Sequence, residues 1–286
     1  MLKKRLGFWA RGGDPKAAEA VSPPLPPGPG DRSFPDQEYL DPARYGEKWQ
    51  EWFGHRSEGY FAMHRRRYYE LFNALACFYR EMKQDARVLE LGVSEFLLFY
   101  KLFFPGIRLV TADRPLAQHG FAASFCLEKG GAERHYEIDL NREELTPAFG
   151  SPPLGRFDYV VCTEVLEHLI VNPVEFLKSL LSLLSPGGRL YLTTPNFFRH
   201  ENLEKISRGV NPLMIYPPRG GNMDAHHHFR EFAMAELLAF AVEAGGKAIF
   251  HCHSGCWDPE EPGAPGFIAQ PERRSNLVLV IETGRR

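Results

Sequence analysis

Several things are missing from this 286-residue chain. No apolar run reaches the length of a membrane span, so a membrane-spanning helix is not expected. The amino-terminal stretch "MLKKRLGFWARGG" is basic but carries no sustained apolar core, which argues against a secretion signal. The charges nearly cancel, with 34 Lys and Arg against 36 Asp and Glu. No global basic field therefore points to a nucleic-acid partner. Cysteine is sparse and unpaired in pattern: Cys77, Cys126, Cys162, Cys252 and Cys256 form an odd, scattered set, which suits a reducing, cytoplasmic setting better than a disulfide framework. A candidate zinc cluster, Cys252, His253 and Cys256, has three soft ligands where a structural zinc takes four, and three consecutive residues such as His226, His227 and His228 cannot all face one centre in regular structure. Most telling is a lack of glycine. After the first strand candidate the chain reads "VLELGVSEF", with Gly92 alone where a dinucleotide-binding turn needs Gly-x-Gly-x-x-Gly.

What is present is an alternation of strands and helices. Residues 1–36 contain "VSPPLPPGPGDRSFP" and read as an extended leader. Residues 37–84 form a helical cap, because apolar positions from Phe61 to Met82 recur at three- and four-residue steps, predicting one long helix over residues 58–83. Residues 85–286 make the main domain. Its strand candidates are Arg87–Leu91, Arg108–Ala112, His135–Ile138, Tyr159–Cys162 and Arg189–Thr194. The helix in "NPVEFLKSLLSLL" has Asn172 as cap and Pro173 at its first position, and "SPGG" turns the chain toward the next strand. Strands apolar on both faces that alternate with helices predict a doubly wound α/β sheet. Two insertions, an irregular one at 197–228 and a Pro/Gly-rich one at 254–274, flank a second helix near Met234–Ala244.

Ligands of such sheets bind outside the carboxyl ends of the strands, so the polar residues there can be read in order. Gly92 lets a ligand approach the backbone. Asp113 suits two ribose hydroxyls, Asp139, followed by Leu140, suits an exocyclic adenine amine, and Glu90 suits a cationic group. Ser94 offers a hydroxyl and an N–H, or a helix cap, in place of a further glycine. Thr163 and Glu164 close the fourth strand and lead into "EVLEH", whose spacing puts Glu164, Glu167 and His168 on one side of a helical turn.

The ordered set "VLELGVSEF", "VTADRP", "YEIDL", "FDYVVCTEVLEHL…NPVEFLKSLLSLLSPGGRLYLTTPN" and "HHHFREFAMAELLAFAVEAGG" resembles the class I S-adenosylmethionine-dependent methyltransferases over roughly residues 80–285. The resemblance implies a Rossmann-like, seven-stranded sheet with its last strand antiparallel. It also implies S-adenosyl-L-methionine as cofactor, bound by Glu90, Gly92, Ser94, Asp113, Asp139, Leu140, Thr163 and Glu164. The acceptor side then falls to His168 and His228, the latter opening a His-x-Arg-x-Phe segment, as candidate bases. Two carboxylates and two imidazoles equally suit a divalent cation, as in some small-RNA 2′-O- and ubiquinone-pathway O-methyltransferases, and no metal is assigned to them from the sequence. The expected acceptor is an oxygen of a small molecule or glycan. The competing readings are a catalytically silent scaffold of the same fold and a nicotinamide-dependent oxidoreductase.

Overall fold

The computed structural model describes residues 42–54, 64–70, 85–94, 97–104, 106–116, 122–142, 145, 156–213, 227–259 and 262–283. The leader, most of the 58–83 segment and residues Glu95 and Phe96 lie outside these.

Seven strands form one sheet: β1 (Arg87–Leu91), β2 (Arg108–Asp113), β3 (Arg134–Glu137), β4 (Phe157–Thr163), β5 (Leu184–Pro195), β6 (Gly246–Ser254) and β7 (Asn276–Thr283). Their order is β3-β2-β1-β4-β5-β7-β6. β1 to β5 pair in parallel, and β7 runs antiparallel to both β5 and β6. The strand order reverses between β1 and β4, which is where a doubly wound sheet opens a crevice for ligands.

Each face carries its own core, because successive strand residues point to opposite sides. On one face Leu89, Leu91, Leu190, Leu192, Leu277 and Leu279 pack under α3 (Pro173–Ser182) and α5 (Met234–Glu243). Asn172 starts α3 as predicted, its side chain accepting from the N–H of Val174 at 2.9 Å. The other face, with Val88, Leu109, Val278 and Val280, is covered by α1 (Pro42–Phe53), by a cap helix over residues 64–70 and by α2 (Leu97–Phe103). Aromatic rings hold this second layer. Tyr45 and Trp49 of α1 lie 5.3 and 6.3 Å, centroid to centroid, from Phe99 of α2.

The structure changes three boundaries. β5 begins at Leu184, not Arg189: Leu184 pairs with Phe157 before a register shift at "SPGG", where Gly187 takes φ +77°. β3 ends at Glu137, so Asp139 lies in the following turn and not at the strand end. The 197–228 insertion is not irregular throughout, because "HENLEKIS" forms α4 (His200–Ser207). The described part of the 58–83 prediction, residues 64–70, is helical. The separate α1 escaped the sequence reading. Among the described residues, no helix is long and apolar enough to cross a membrane.

Candidate active site at the carboxyl edge of the sheet

β1 delivers Glu90 and Gly92 to the crevice. Gly92 takes φ +76°, and its N–H donates to the carbonyl of Ala112 at 3.0 Å, tying the turn to the end of β2. A Cβ there would sit 2.3 Å from Cγ2 of Val165. Both conformation and space therefore demand glycine. The Ser94 carbonyl accepts from the N–H of Leu97 at 3.2 Å. Glu90 is only 1% exposed, and its Oε2 has no hydrogen-bond partner among the described residues. Burial pushes its carboxyl up to about 8. The Tyr100 hydroxyl counters this in part, and the nearby Asp113 adds to it. Asp113 ends β2, its Oδ1 accepting from the N–H of Arg114 at 2.9 Å. Asp139 builds a turn, with Oδ1 accepting from the N–H of Asn141 at 3.1 Å, and Leu140 packs against the core.

"EVLEH" departs from expectation. Glu164, with φ +55°, reverses the chain before the single 3₁₀ turn Leu166–His168. The reversal separates the two carboxylates, so they do not share one side. The pair Thr193 and Thr194 at the end of β5 makes the division plain, because neighbours on a strand face opposite ways. Thr193 Oγ1 donates to Glu164 Oε1 at 2.6 Å, and Thr194 Oγ1 donates to Glu167 Oε2 at 2.9 Å.

On the cap-helix side, Asn276 Nδ2 also donates to Glu164 Oε1, at 2.9 Å, and Arg67 Nη1 lies 3.9 Å from Oε2. Arg67, Glu70, Thr163 and Ser254 help to line a cavity of ≈ 10 Å³ there, room for about one water. The cap helix is fastened to the 254–274 loop. Arg66 Nη1 donates to the carbonyl of Asp258 at 3.2 Å, and Trp257 Nε1 donates to His64 Nδ1 at 3.3 Å.

On the other side Glu167 meets the histidines. One ligand atom from each of Glu167, His168 and His228 lies within 4.8 Å of the others. His168 Nδ1 donates to the carbonyl of His227 at 2.9 Å, so a neutral ring carries its lone pair on Nε2, 3.8 Å from Glu167 Oε1. The His168 and His228 rings stand 4.9 Å apart. The carbonyl of Glu167 accepts from the N–H of Phe229 at 2.8 Å, which docks the His228 segment onto the turn. Glu167 is 1% exposed, and its Oε1 lacks a hydrogen-bond partner among the described residues. Burial and the Glu164 charge hold its carboxyl well above the ordinary range. His226 lies outside the described residues.

A profile described as "Methyltransferase domain" matches residues 63–239, more than half of the chain. The chain belongs to the methyltransferase family. S-adenosylmethionine is the cofactor of that family. This methyltransferase is 28% identical over 160 residues to a protein named "Ubiquinone biosynthesis O-methyltransferase" from Aeromonas salmonicida, covering 56% of this chain and 62% of the relative. A protein of the same name from Azotobacter vinelandii is 29% identical over 163 residues, or 57% of this chain and 65% of the relative. The methyltransferase thus spans less than two thirds of the length of these relatives. Among solved structures, the N-methyltransferase NodS of Bradyrhizobium japonicum WM9, in complex with S-adenosyl-L-homocysteine, aligns with a TM-score of 0.48 and 13% identity, over 84% of this chain and 97% of that one.

Proposed function

We propose that the protein transfers a methyl group from S-adenosylmethionine to an oxygen of a small molecule or glycan, in the crevice where β1, β2 and β4 end. The observation that carries this reading is the cluster of Glu167, His168 and His228, which gathers a carboxylate and two imidazoles beside the strand ends that suit the cofactor. The names of the two relatives, both O-methyltransferases, agree with an oxygen acceptor.

On the cofactor side, Gly92 and Ser94 form the turn under the ligand, and Glu90 answers a cationic group. Asp113 accepts from ribose hydroxyls, and Asp139 with Leu140 bounds the base. Thr163 and Glu164 close the crevice at the end of β4. The residues fit such a ligand on an independent ground: a buried carboxylate oxygen without a partner, as at Glu90, is costly unless a donor or cation arrives to meet it. The bound cofactor supplies an already activated methyl group. The chain supplies alignment and exclusion of water, which account for much of the rate in such a reaction. A hydroxyl acceptor must lose its proton as it attacks, and the lone pair on an imidazole nitrogen of the pair is the acceptor for that proton. The cap helix of the 37–84 segment, with the 197–228 and 254–274 insertions of the 85–286 domain, encloses the acceptor.

A second reading is favoured by the same three side chains and by the unpartnered Oε1 of Glu167: two imidazoles and one carboxylate suit a divalent cation with positions left open. Glu164, engaged by Thr193 and Asn276 on the opposite face, stands apart from that set.

The test is transfer of labelled methyl from S-adenosylmethionine to a panel of phenols, catechols, sugars and amines. Transfer to hydroxyl oxygen is expected, whereas transfer only to nitrogen or carbon would overturn the oxygen assignment. Cofactor binding with no turnover on any acceptor class would favour the silent scaffold. Loss of turnover with EDTA, restored by magnesium or manganese, decides for the cation over the imidazole base.

A further inference from the structure

One carboxylate behind the histidine pair belongs to none of the roles above. Glu231 is 5% exposed, between His228 and the start of α5. Three donors converge on it. His228 Nδ1 lies 2.9 Å from Oε1, Asn202 Nδ2 lies 2.8 Å from Oε2, and Arg199 Nη1 donates to Oε2 as well. Arg199 and Asn202 sit at the start of α4, which is anchored to the end of β5: Asn202 Nδ2 donates to the carbonyl of Phe197 at 2.9 Å, and Arg199 Nη1 to that of Asn196 at 3.3 Å.

We infer that Glu231 is a positioning residue: its Oε1 holds the His228 ring in place and fixes it in the Nδ1–H tautomer, so that Nε2 carries the lone pair the reaction uses, while Arg199 and Asn202 tie Oε2 to α4. A carboxylate in this setting can only accept, and the nitrogen it engages must bear the hydrogen. Arg199 and Asn202 both engage Oε2, which leaves Oε1 to accept from the His228 ring. The two histidines are thereby matched. The carbonyl of His227 sets the tautomer of His168, and Glu231 sets that of His228. Both the proton-accepting role and the cation-ligating role need that lone pair, so the inference rests on the proposed function without depending on which of the two holds. Three donors around one anion also explain why α4 is folded against the site.

Long-range proton–nitrogen correlation spectra of histidine-labelled protein, with the His228 signal assigned by its loss in His228→Gln, read the tautomer directly. In the native protein His228 is expected as Nδ1–H. An Nε2–H pattern there overturns the inference, whatever the variants do. Glu231→Gln, which replaces one acceptor oxygen by a donor, is expected to give a mixed or Nε2–H pattern. It should also lower kcat roughly ten- to a hundredfold while the Kd for S-adenosylmethionine stays within about twofold. An unchanged tautomer and kcat in that variant overturn the inference. Asn202→Ala, which loosens α4 without touching His228, is expected to lower Tm and keep the tautomer; a tautomer change as large as in Glu231→Gln would mean general loosening and count against Glu231. The spectra need no cofactor, so a failure to bind S-adenosylmethionine would sink the proposed function and leave the tautomer result standing.

Discussion

Two regions around the site bury carboxylates and treat them in opposite ways. At the strand ends Glu90 and Glu167 are almost wholly enclosed, each with one oxygen lacking a hydrogen-bond partner among the described residues, and burial pushes both carboxyls up. Behind the histidines Glu231 is nearly as enclosed, yet three donors surround it and its carboxyl is lowered. The difference separates scaffold from site. A buried acid satisfied by the protein is holding something in place, whereas one left short is costly until a ligand or proton meets it. Glu164, only partly buried, is likewise satisfied by the protein, accepting from Thr193 and Asn276.

Substitution should break this contrast most sharply at Glu231. Glu231→Ala leaves the Arg199 charge without its buried partner, and the expected loss of stability is about 3 kcal/mol by denaturant unfolding. A loss below about 1 kcal/mol would show that the three donors find other partners. Glu167→Gln is expected to do the reverse, with Tm equal to or above that of the native protein because a costly buried acid is gone. Turnover should nevertheless fall about a hundredfold if this group serves the chemistry. A drop in Tm would place Glu167 among the structural acids.

Glu90 sharpens the comparison through pH. Its folded pKa is raised from 4.5 to about 8, so the folded chain holds the proton more tightly than the unfolded one across that interval. Stability therefore falls as pH rises from about 4.5 to about 8, and Glu90→Gln should flatten the profile of the ligand-free protein over that window. An unchanged profile would mean that Glu90 is not the group responsible. The smallest effect is expected at Ser94. A glycine keeps the backbone contact that the Ser94 carbonyl makes with Leu97, so Ser94→Gly should change cofactor affinity by less than about threefold, that is, by under about 0.7 kcal/mol.

The same contrast explains what could be read without coordinates. The sheet, the α3 cap at Asn172 and the strand-end acids Glu90 and Asp113 were legible because they depend on local spacing and strand order. Gly92 was legible as a turn, but its clash partner, Val165, was not, since that contact joins β1 to the segment after β4. Glu164 and Glu167 looked like one group because helical spacing was extended through a residue at positive φ, and the alternation of Thr193 and Thr194 is the local signal that could have parted them. Glu231 left no signal of its own. Its role is assembled from α4 and the His228 segment, about thirty residues apart in sequence, and nothing in "HFREF" marks a buried acid as an anchor.

The most direct measurement is calorimetric titration of the native protein with S-adenosylmethionine in buffers of different ionisation enthalpy near pH 7. Binding at one site is expected with release of up to about one proton, as the cofactor's cationic group draws the raised Glu90 carboxyl into its ionised form, and no such release is expected in Glu90→Gln. Absence of binding, or binding with a buffer-independent heat in the native protein, would contradict this.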